Sequence, residues 1–219
     1  APPPKNSTDY CQTRPHSLQP PLESKSHFPA ADAVSTGLGS GMFWNLDQSA
    51  GELLVRTGVA GPAAKMGHRL TIAMQTWHAQ VRWDGDTPAE VELTVEVDSL
   101  QVQSGEGGVT PLTPPERVVA RANALKALEQ RRYPRIRFHA EDITATDGGY
   151  RLSGSLQIHG QTRDCVVELG VEDLGDEWSM SCEQQVRQSD FGVKPYSLAM
   201  GTLKVADVVT VSFAGRYPK

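Results

Sequence analysis

The feature that most constrains this chain is a series of segments in which apolar and polar residues alternate one by one. In residues 89–98 every second residue is Ala, Val or Leu, and the residues between them are Glu, Thr or Asp. Residues 150–159 and 209–213 repeat the pattern. Side chains of a strand point alternately to its two faces, so each segment predicts a strand with one apolar and one solvated face. Several such strands predict an antiparallel sheet around an apolar interior.

One longer segment, residues 68–83, changes phase in its middle. The apolar residues of its first half are Leu70, Ile72 and Met74, and those of its second half are Trp77, Ala79, Val81 and Trp83. A slip of one residue exchanges the two faces of a strand, so the change predicts a bulge or sharp bend near Gln75-Thr76. Such bends are typical of a sheet that curls to close.

A single helix interrupts the strands. Thr113-Pro114-Pro115-Glu116 has the capping-box spacing with proline at the first helical position. Val118, Ala122 and Leu125 share one face, and the helix ends before Tyr133-Pro134. Short turn signals such as His159-Gly160 separate the strands and favour hairpins over β-α-β units. We therefore predict a mainly β fold: a closed antiparallel eight-stranded barrel with one covering helix, wide enough for one slender ligand.

The first 41 of the 219 residues have a different composition from the rest. Seven of the fifteen prolines fall by Pro29, and residues 35–41 are rich in Gly and Ser. So little apolar surface cannot offset the entropy of ordering. We predict a flexible tail over residues 1–41 and a folded domain over residues 42–219. The tail is a spacer, or it docks on a protein partner, which would make the chain an interaction subunit of a larger complex.

Charge and cysteine content limit the partners and the location. The net charge of −5 argues against nucleic-acid binding, and no stretch reaches the roughly 18 apolar residues of a transmembrane helix. Three cysteines without a CxxC motif favour a reducing compartment, hence the cytoplasm. A periplasmic or secreted location is the alternative if the chain starts after signal cleavage. A homodimer is compatible with the sequence.

Residues capable of chemistry are scattered along the chain. No nucleophile elbow, HExxH pair or phosphate-binding loop occurs, so we predict no enzyme and no metal site. The domain histidines are solitary; His68 begins a strand at the expected barrel rim, where it could touch the polar end of a ligand. A barrel that binds metal or haem through His68 or His159 is the alternative. Glu90, Glu92 and Glu96 are interpreted as a solvated strand face.

Two cysteines fall on the strands that flank Gly175. A four-residue turn over residues 173–176 would place Cys165 opposite Gln184, and Cys182 opposite Val167. The two thiols would then be diagonal neighbours about 7–8 Å apart, too far for a disulfide, so we predict free thiols.

Several short phrases, in this order along residues 44–213, resemble the YceI-like family of polyisoprenoid-binding, lipocalin-like barrels. The phrases are Trp44-Asn45-Leu46-Asp47, Ala64-Lys65-Met66-Gly67-His68, Val95-Glu96-Val97-Asp98-Ser99-Leu100, Tyr133-Pro134, Leu156-Gln157-Ile158-His159-Gly160 and Ser189-Asp190-Phe191-Gly192. The resemblance implies carriage or sequestration, without catalysis, of a long apolar lipid: a polyisoprenoid, an isoprenoid quinone or a fatty-acyl chain. It implies no cofactor beyond a bound isoprenoid lipid.

The alternation and the resemblance together indicate which residues would line a ligand cavity. The expected apolar lining is Leu70, Ile72, Met74, Val95, Phe138, Leu152, Leu156 and Phe191, with His68 at the polar rim. Each buried methylene of a ligand would contribute about 0.8 kcal/mol, so a long isoprenoid could bind without polar contacts. The same composition also fits a barrel whose interior is packed solid.

Overall fold

A computed structural model of the protein describes residues 41–219. The predicted tail lies outside the described residues except for Gly41, and Cys11 lies outside them as well. A docking role for the tail therefore stays a prediction.

The described chain is mainly β with one helix, as predicted, but it has twelve strands instead of eight. The strands are β1 (Met42–Asp47), β2 (Gly51–Ala60), β3 (His68–Met74), β4 (Trp77–Asp84), β5 (Thr87–Glu96), β6 (Leu100–Gly107), β7 (Arg135–Thr146), β8 (Gly149–Ile158), β9 (Gln161–Asp173), β10 (Glu177–Arg187), β11 (Ser197–Leu198) and β12 (Leu203–Pro218). Helix α1 (Pro114–Ala127) lies between β6 and β7. Part of the difference comes from β6 and β11, which carry too few apolar residues to show clear alternation.

All strands pair antiparallel in one curled sheet. Eleven of them follow the order β1-β4-β5-β7-β8-β9-β10-β12-β2-β3-β6, and β11 pairs with β12. In the described part of the chain the end strands β1 and β6 do not pair with each other. The expectation of a closed eight-stranded barrel is thus corrected to a curled sheet of twelve strands without a hydrogen-bonded seam.

Two short connections bring the ends of the sheet together. The predicted bend at Gln75-Thr76 is confirmed, and it joins β3, next to one end strand, to β4, next to the other. A 3-10 turn at Val97–Ser99 links β5 to the end strand β6 in the same way. Gln75 N–H donates to Ser99 O at 3.3 Å and Glu96 N–H donates to Thr76 O at 3.0 Å. These two chain connections hold the ends of the sheet near each other, although β1 and β6 are not hydrogen-bonded.

Large aromatic side chains fill one end of the curled sheet. Trp44 stacks on Tyr217 with ring centroids 4.4 Å apart and lies 4.6 Å from Trp83. Trp77 contacts Phe213 edge-on at 5.6 Å. Such rings bury large apolar areas, so this end is a solid core. We call these five side chains the aromatic floor.

Helix α1 crosses the other end and is held by the end strand β6. Thr113 donates its N–H to Glu116 Oε2 at 2.7 Å, which confirms the predicted start of the helix. Arg121 donates to Leu100 O at 2.7 Å and to Asp98 O at 2.6 Å. Arg117 likewise donates to a β6 carbonyl, at 2.9 Å. These bonds use backbone acceptors that have no neighbouring strand.

The arginine bonds also set the rotation of α1 about its axis. Of the three residues predicted to share one face, Val118 and Ala122 are exposed, whereas Leu125 is partly buried. The inward face carries Ala120 and Ala124, which pack against the core together with Leu125. Amphipathicity in this helix is weak, so the arginine contacts with β6 decide its rotation.

Cys165 and Cys182 are free thiols, as predicted, but the register around them differs from the expected one. The turn centres on Gly175-Asp176, because Leu174 N–H donates to Glu177 O at 3.0 Å. From this turn, β10 pairs with β9 over four residues, beginning with Trp178 opposite Asp173 and ending with Ser181 opposite Gly170. Pairing stops there, so Cys165 and Cys182 lie beyond the paired part. Burial raises the pKa of both thiols, which makes them less reactive.

Candidate functional site: an apolar cavity beneath the helix

A cavity of about 500 Å³ lies between α1 and the inner face of the sheet, at the end away from the aromatic floor. Its volume falls within the range of about 300–1,000 Å³ that is usual for small-molecule sites. Most of its lining is aliphatic and comes from the helix, from β2, β3, β10 and β12, and from the segment that precedes β12. This aliphatic lining includes Val55, Val59, Leu70, Ile72, Met74, Leu100, Leu112, Ile136, Ile158, Val186, Val193, Leu203, Val209 and Val211.

Small side chains keep the space between helix and sheet open. Ala120, Ala124 and Ala127 present only methyl groups from α1 to the cavity. At Gly67 the missing side chain lets Leu203 and Val59 approach closely, since a Cβ there would lie 2.7 Å from Leu203 Cδ1 and would push that side chain aside. Because the backbones of β6 and the helix are tied together by the arginines, the helix cannot collapse onto the sheet to fill the void.

The structure brings half of the predicted lining residues to this cavity. Leu70, Ile72, Met74 and Phe191 line it, and so does the expected rim residue His68. The positions of these five side chains agree with the expected inward face, and their role in ligand binding stays a prediction.

The other four predicted residues lie elsewhere inside the sheet. Val95 packs with the aromatic floor. Phe138 and Leu152 form a separate cluster around the fully buried Ala140, and Leu156 packs against that cluster. All four face inward, as the alternation predicts, but they occupy parts of the interior that are filled. Alternation reports the face of a strand and not the space in front of it.

Sequence analysis predicted the helix but missed its contribution to the lining, together with the contributions of β2, β10 and β12. The alanines at positions 120, 124 and 127 have the i, i+4, i+7 spacing of one helix face. A stripe of small residues opposite large aliphatic ones was therefore the available signal for a cavity. The contributions of Val55 and Val59 from β2 could not be read because this strand lacks strict alternation.

The Ser189-Asp190-Phe191-Gly192 phrase forms the turn that holds one wall of the cavity. A 3-10 turn covers Gln188–Phe191, and Gly192 follows in the left-handed region with φ 71°. Ser189 donates its N–H and its hydroxyl to the Asp207 carboxylate at 2.9 and 2.6 Å. Asp207 lies in the bulge where the pairing of β12 with β2 shifts register. The phrase therefore ties the bulge to Phe191, whose ring faces the cavity.

The Tyr133-Pro134 phrase supports the same wall of the cavity through His159, which lies between Tyr133 and Phe191. Tyr133 lies against His159 with ring centroids 4.5 Å apart, and a Cβ on Gly160 would be 2.5 Å from the Tyr133 ring. His159 and Gly160 both have positive φ, which makes the β8–β9 connection a two-residue type I′ hairpin. His159 Nδ1 lies 3.3 Å from Phe191 O. His159 is thus a structural residue that joins the two phrases.

Several polar groups beside the cavity are engaged in bonds within the protein. His68 Nε2 lies 2.8 Å from Thr110 O, and Thr57 Oγ1 accepts the Leu70 N–H at 3.0 Å. Gln188 Nε2 donates to Ala206 O at 2.9 Å. Polar side chains with these partners leave an interior suited to an apolar ligand.

The group of side chains best arranged for metal binding in residues 41–219 lies on the outer face, away from the cavity. It consists of Glu90, His139 and Glu141, and it does not include His68 or His159. Glu90 is already paired with Arg82, whose Nε donates to it at 2.9 Å. Glu96 pairs with Arg135 at 2.8 Å. The acidic strand face interpreted as merely solvated therefore carries cross-strand ion pairs.

None of the described helical segments is long and apolar enough to span a membrane.

Comparison with known proteins places the fold. The model of the YceI-like domain matches residues 44–217. The crystal structure of BcnA from Burkholderia cenocepacia superposes with a TM-score of 0.58 at 18% identity, covering 78% of this chain and 98% of that chain. The YCEI protein of Campylobacter jejuni superposes with a TM-score of 0.47 at 12% identity, covering 92% and 99%. No curated protein sequence matches this chain.

Proposed function

Because this chain belongs to the YceI-like domain family, we propose that it binds a long apolar lipid in the cavity beneath α1 and carries or sequesters it without catalysis. The ligand class is a polyisoprenoid, an isoprenoid quinone or a fatty-acyl chain. One observation carries the proposal: a cavity of about 500 Å³ with a mostly aliphatic lining, beneath a helix that contributes three alanines to it.

The energetics of such a site favour a chain-like molecule. Each methylene that leaves water would contribute about 0.8 kcal/mol to the binding free energy, and this contribution needs no hydrogen bond or ion pair. Met74, Ile72 and Leu100 form the deep end next to the filled core, and Leu198 and Val119 stand near the open end. An elongated apolar chain entering from the helix end would fill this space.

The polar groups beside the cavity support binding over chemistry. A general acid or base has to reach the reacting atom, but His68 and Gln188 direct their side chains to backbone carbonyls. Glu116 is engaged in the helix cap. We therefore assign to these groups the role of shaping the site.

The direct test is extraction of the purified protein with organic solvent followed by mass spectrometry. We expect a lipid with a long hydrocarbon chain at close to one molecule per protein. Extracts without any such lipid, together with no uptake of a fluorescent long-chain lipid, would contradict the proposal.

A variant that fills the cavity tests the location of the ligand. Ala124→Phe places a ring in the space between α1 and the sheet, and we expect loss of most of the bound lipid. Ala122→Phe is the matched control, because Ala122 lies on the exposed side of the same helix and the variant should retain its lipid. Equal lipid content in both variants would place the ligand elsewhere.

A further inference from the structure

We infer that the open end of the cavity docks on the surface of an anionic lipid bilayer. The docking surface, called the rim below, consists of the apolar side chains Met66, Val119, Leu198 and Met200 and the basic side chains Lys65, Lys194 and Lys204. The inference goes beyond lipid binding, although its purpose, passage of a lipid between bilayer and cavity, rests on the proposed function.

The apolar part of the rim exposes large side chains to water without covering any core. Met66 is 61% exposed, Val119 60%, Leu198 49% and Met200 106%. Met200 also has φ 54°, a left-handed conformation that disfavours residues with a side chain. Packing does not account for a strained backbone that holds a methionine fully in solvent. Contiguous exposed apolar groups of this kind mark interaction sites.

The rim residues belong to segments that meet at the mouth of the cavity. The turn containing Met66 lies against the segment before β12, because Ala63 N–H donates to Thr202 O at 2.9 Å. Gly67, Leu198 and Val119 themselves line the cavity. The apolar surface of the rim is therefore continuous with the apolar lining.

Unpaired positive charge surrounds this apolar surface. Lys65 lies in the same 3-10 turn as Met66. Lys194 is two residues before Tyr196, which lines the cavity, and Lys204 lines the cavity itself. All three are exposed, and within residues 41–219 none of them forms an ion pair, in contrast to Lys219, which pairs with Asp173. The carboxylates nearest in sequence to Lys194 and Lys204 are engaged elsewhere: Asp190 with Arg187, and Asp207 with Ser189 and Arg187.

This combination fits a bilayer whose surface is negative. Basic side chains beside an apolar patch bind anionic headgroups while the apolar groups enter the boundary with the acyl chains. The whole chain has a net charge of −5, so overall electrostatics would repel such a surface, and attraction has to come from the rim. Docking should accordingly weaken as salt screens the lysines.

Sedimentation with vesicles tests the inference. We expect the full-length protein to sediment with vesicles of phosphatidylcholine containing about a third phosphatidylglycerol, and much less with phosphatidylcholine alone. Neutralising all three lysines (Lys65→Gln, Lys194→Gln, Lys204→Gln) should lower partitioning about 100-fold at low salt, at about fivefold for each charge. Met66→Ser with Met200→Ser should also weaken it at least tenfold.

Matched controls lie away from the rim. Arg137→Gln removes an exposed cation from the outer face of β7, and Leu174→Ser removes an exposed apolar residue from the turn between β9 and β10. Both should bind vesicles like the unchanged protein.

Three results would overturn the inference: no sedimentation with anionic vesicles, equal loss in the control variants, or self-association in sedimentation velocity that the rim substitutions abolish, since a second copy would then cover the rim. Lipid extraction from the same samples separates the two proposals. Bound lipid without vesicle docking removes the rim inference alone, and vesicle docking without bound lipid removes the proposed function alone.

Discussion

At the scale of single residues, partners on neighbouring strands give the outer face its charge pattern. Arg82 lies directly opposite Glu90 across β4 and β5, and His139 on β7 reaches the same carboxylate diagonally, with Nε2 3.0 Å from Oε1. Arg82 and then His139 lower the pKa of Glu90 by their hydrogen bonds. The hydrogen bond with Glu90 raises the pKa of His139, and Glu141 adds to this effect.

These shifts predict a pH dependence with a definite sign. The contribution of His139 to stability is fully present below the ordinary histidine pKa of about 6.5 and is lost as pH rises through the raised pKa. That of Glu90 is present above about 4.5 and is lost as pH falls through its lowered pKa. We expect Glu90→Gln to return the His139 pKa toward 6.5 in an NMR titration, and Glu141→Gln to move it less. An unchanged His139 pKa in Glu90→Gln would contradict the assignment.

At the scale of elements, the helix is a lid whose position depends on the end strand that it covers. Its capping residues determine where α1 starts, but Arg117 and Arg121 determine which face it turns to the sheet. Arg117 and Arg121 each donate to one carbonyl of β6, and Arg121 also donates to Asp98 in the turn before it. The cavity exists because this tether holds an alanine face above the sheet at a fixed height.

Removal of one tether should destabilise the protein and loosen the lid. Arg121→Met retains most of the aliphatic side chain but loses two charge-assisted hydrogen bonds. For partly exposed bonds of this kind we expect a loss of about 1–3 kcal/mol in the free energy of unfolding, measured by urea denaturation.

Lys126→Met is the control on the same helix, with an expected change below about 0.5 kcal/mol, because Lys126 is exposed. Equal stability of the two variants would mean that the Arg121 bonds do not hold the lid.

At the scale of the whole molecule, the strands of the sheet do not all pair along their full length: β2 pairs with β3 only over residues 54–56, and β9 and β10 separate as well. These long strands pair only over four residues next to their hairpin, from Trp178 to Ser181 on β10. Beyond that point residues 182–187 pair with β12, and residues 161–169 pair with β8. A lateral gap therefore runs toward the cavity end, where Val186 belongs to the lining.

Hydrogen exchange should reveal this gap. Alternate amides of an antiparallel strand point to opposite neighbours, so about half of the amides in residues 161–169 should exchange fast, and the rest slowly. Strand β8 is the internal control because it pairs on both sides, with β7 and β9, and its amides should be protected throughout. Uniform protection of residues 161–169 would show that the two strands pair along their whole length in solution.

Much of the fold and part of the site followed from the amino-acid order. The alternation identified the β class and the inward faces, the phase change located the corner at Gln75-Thr76, and Thr113 with Glu116 located the start of the helix. Five expected site residues, His68 among them, line the cavity. These features depend on contacts within a few residues, which a local pattern can report.

What only the tertiary structure decided depends on residues distant in the chain. Strand register decides the open order of the twelve strands and the pairing of Arg82 and His139 with Glu90. Packing decides the rotation of α1 and the filled surroundings of four predicted lining residues: Val95, Phe138, Leu152 and Leu156. Whether an inward side chain meets an empty space depends on the sizes of its neighbours across the interior. The sizes of side chains from distant elements therefore decide which part of the apolar inner face is a packed core and which part is a cavity.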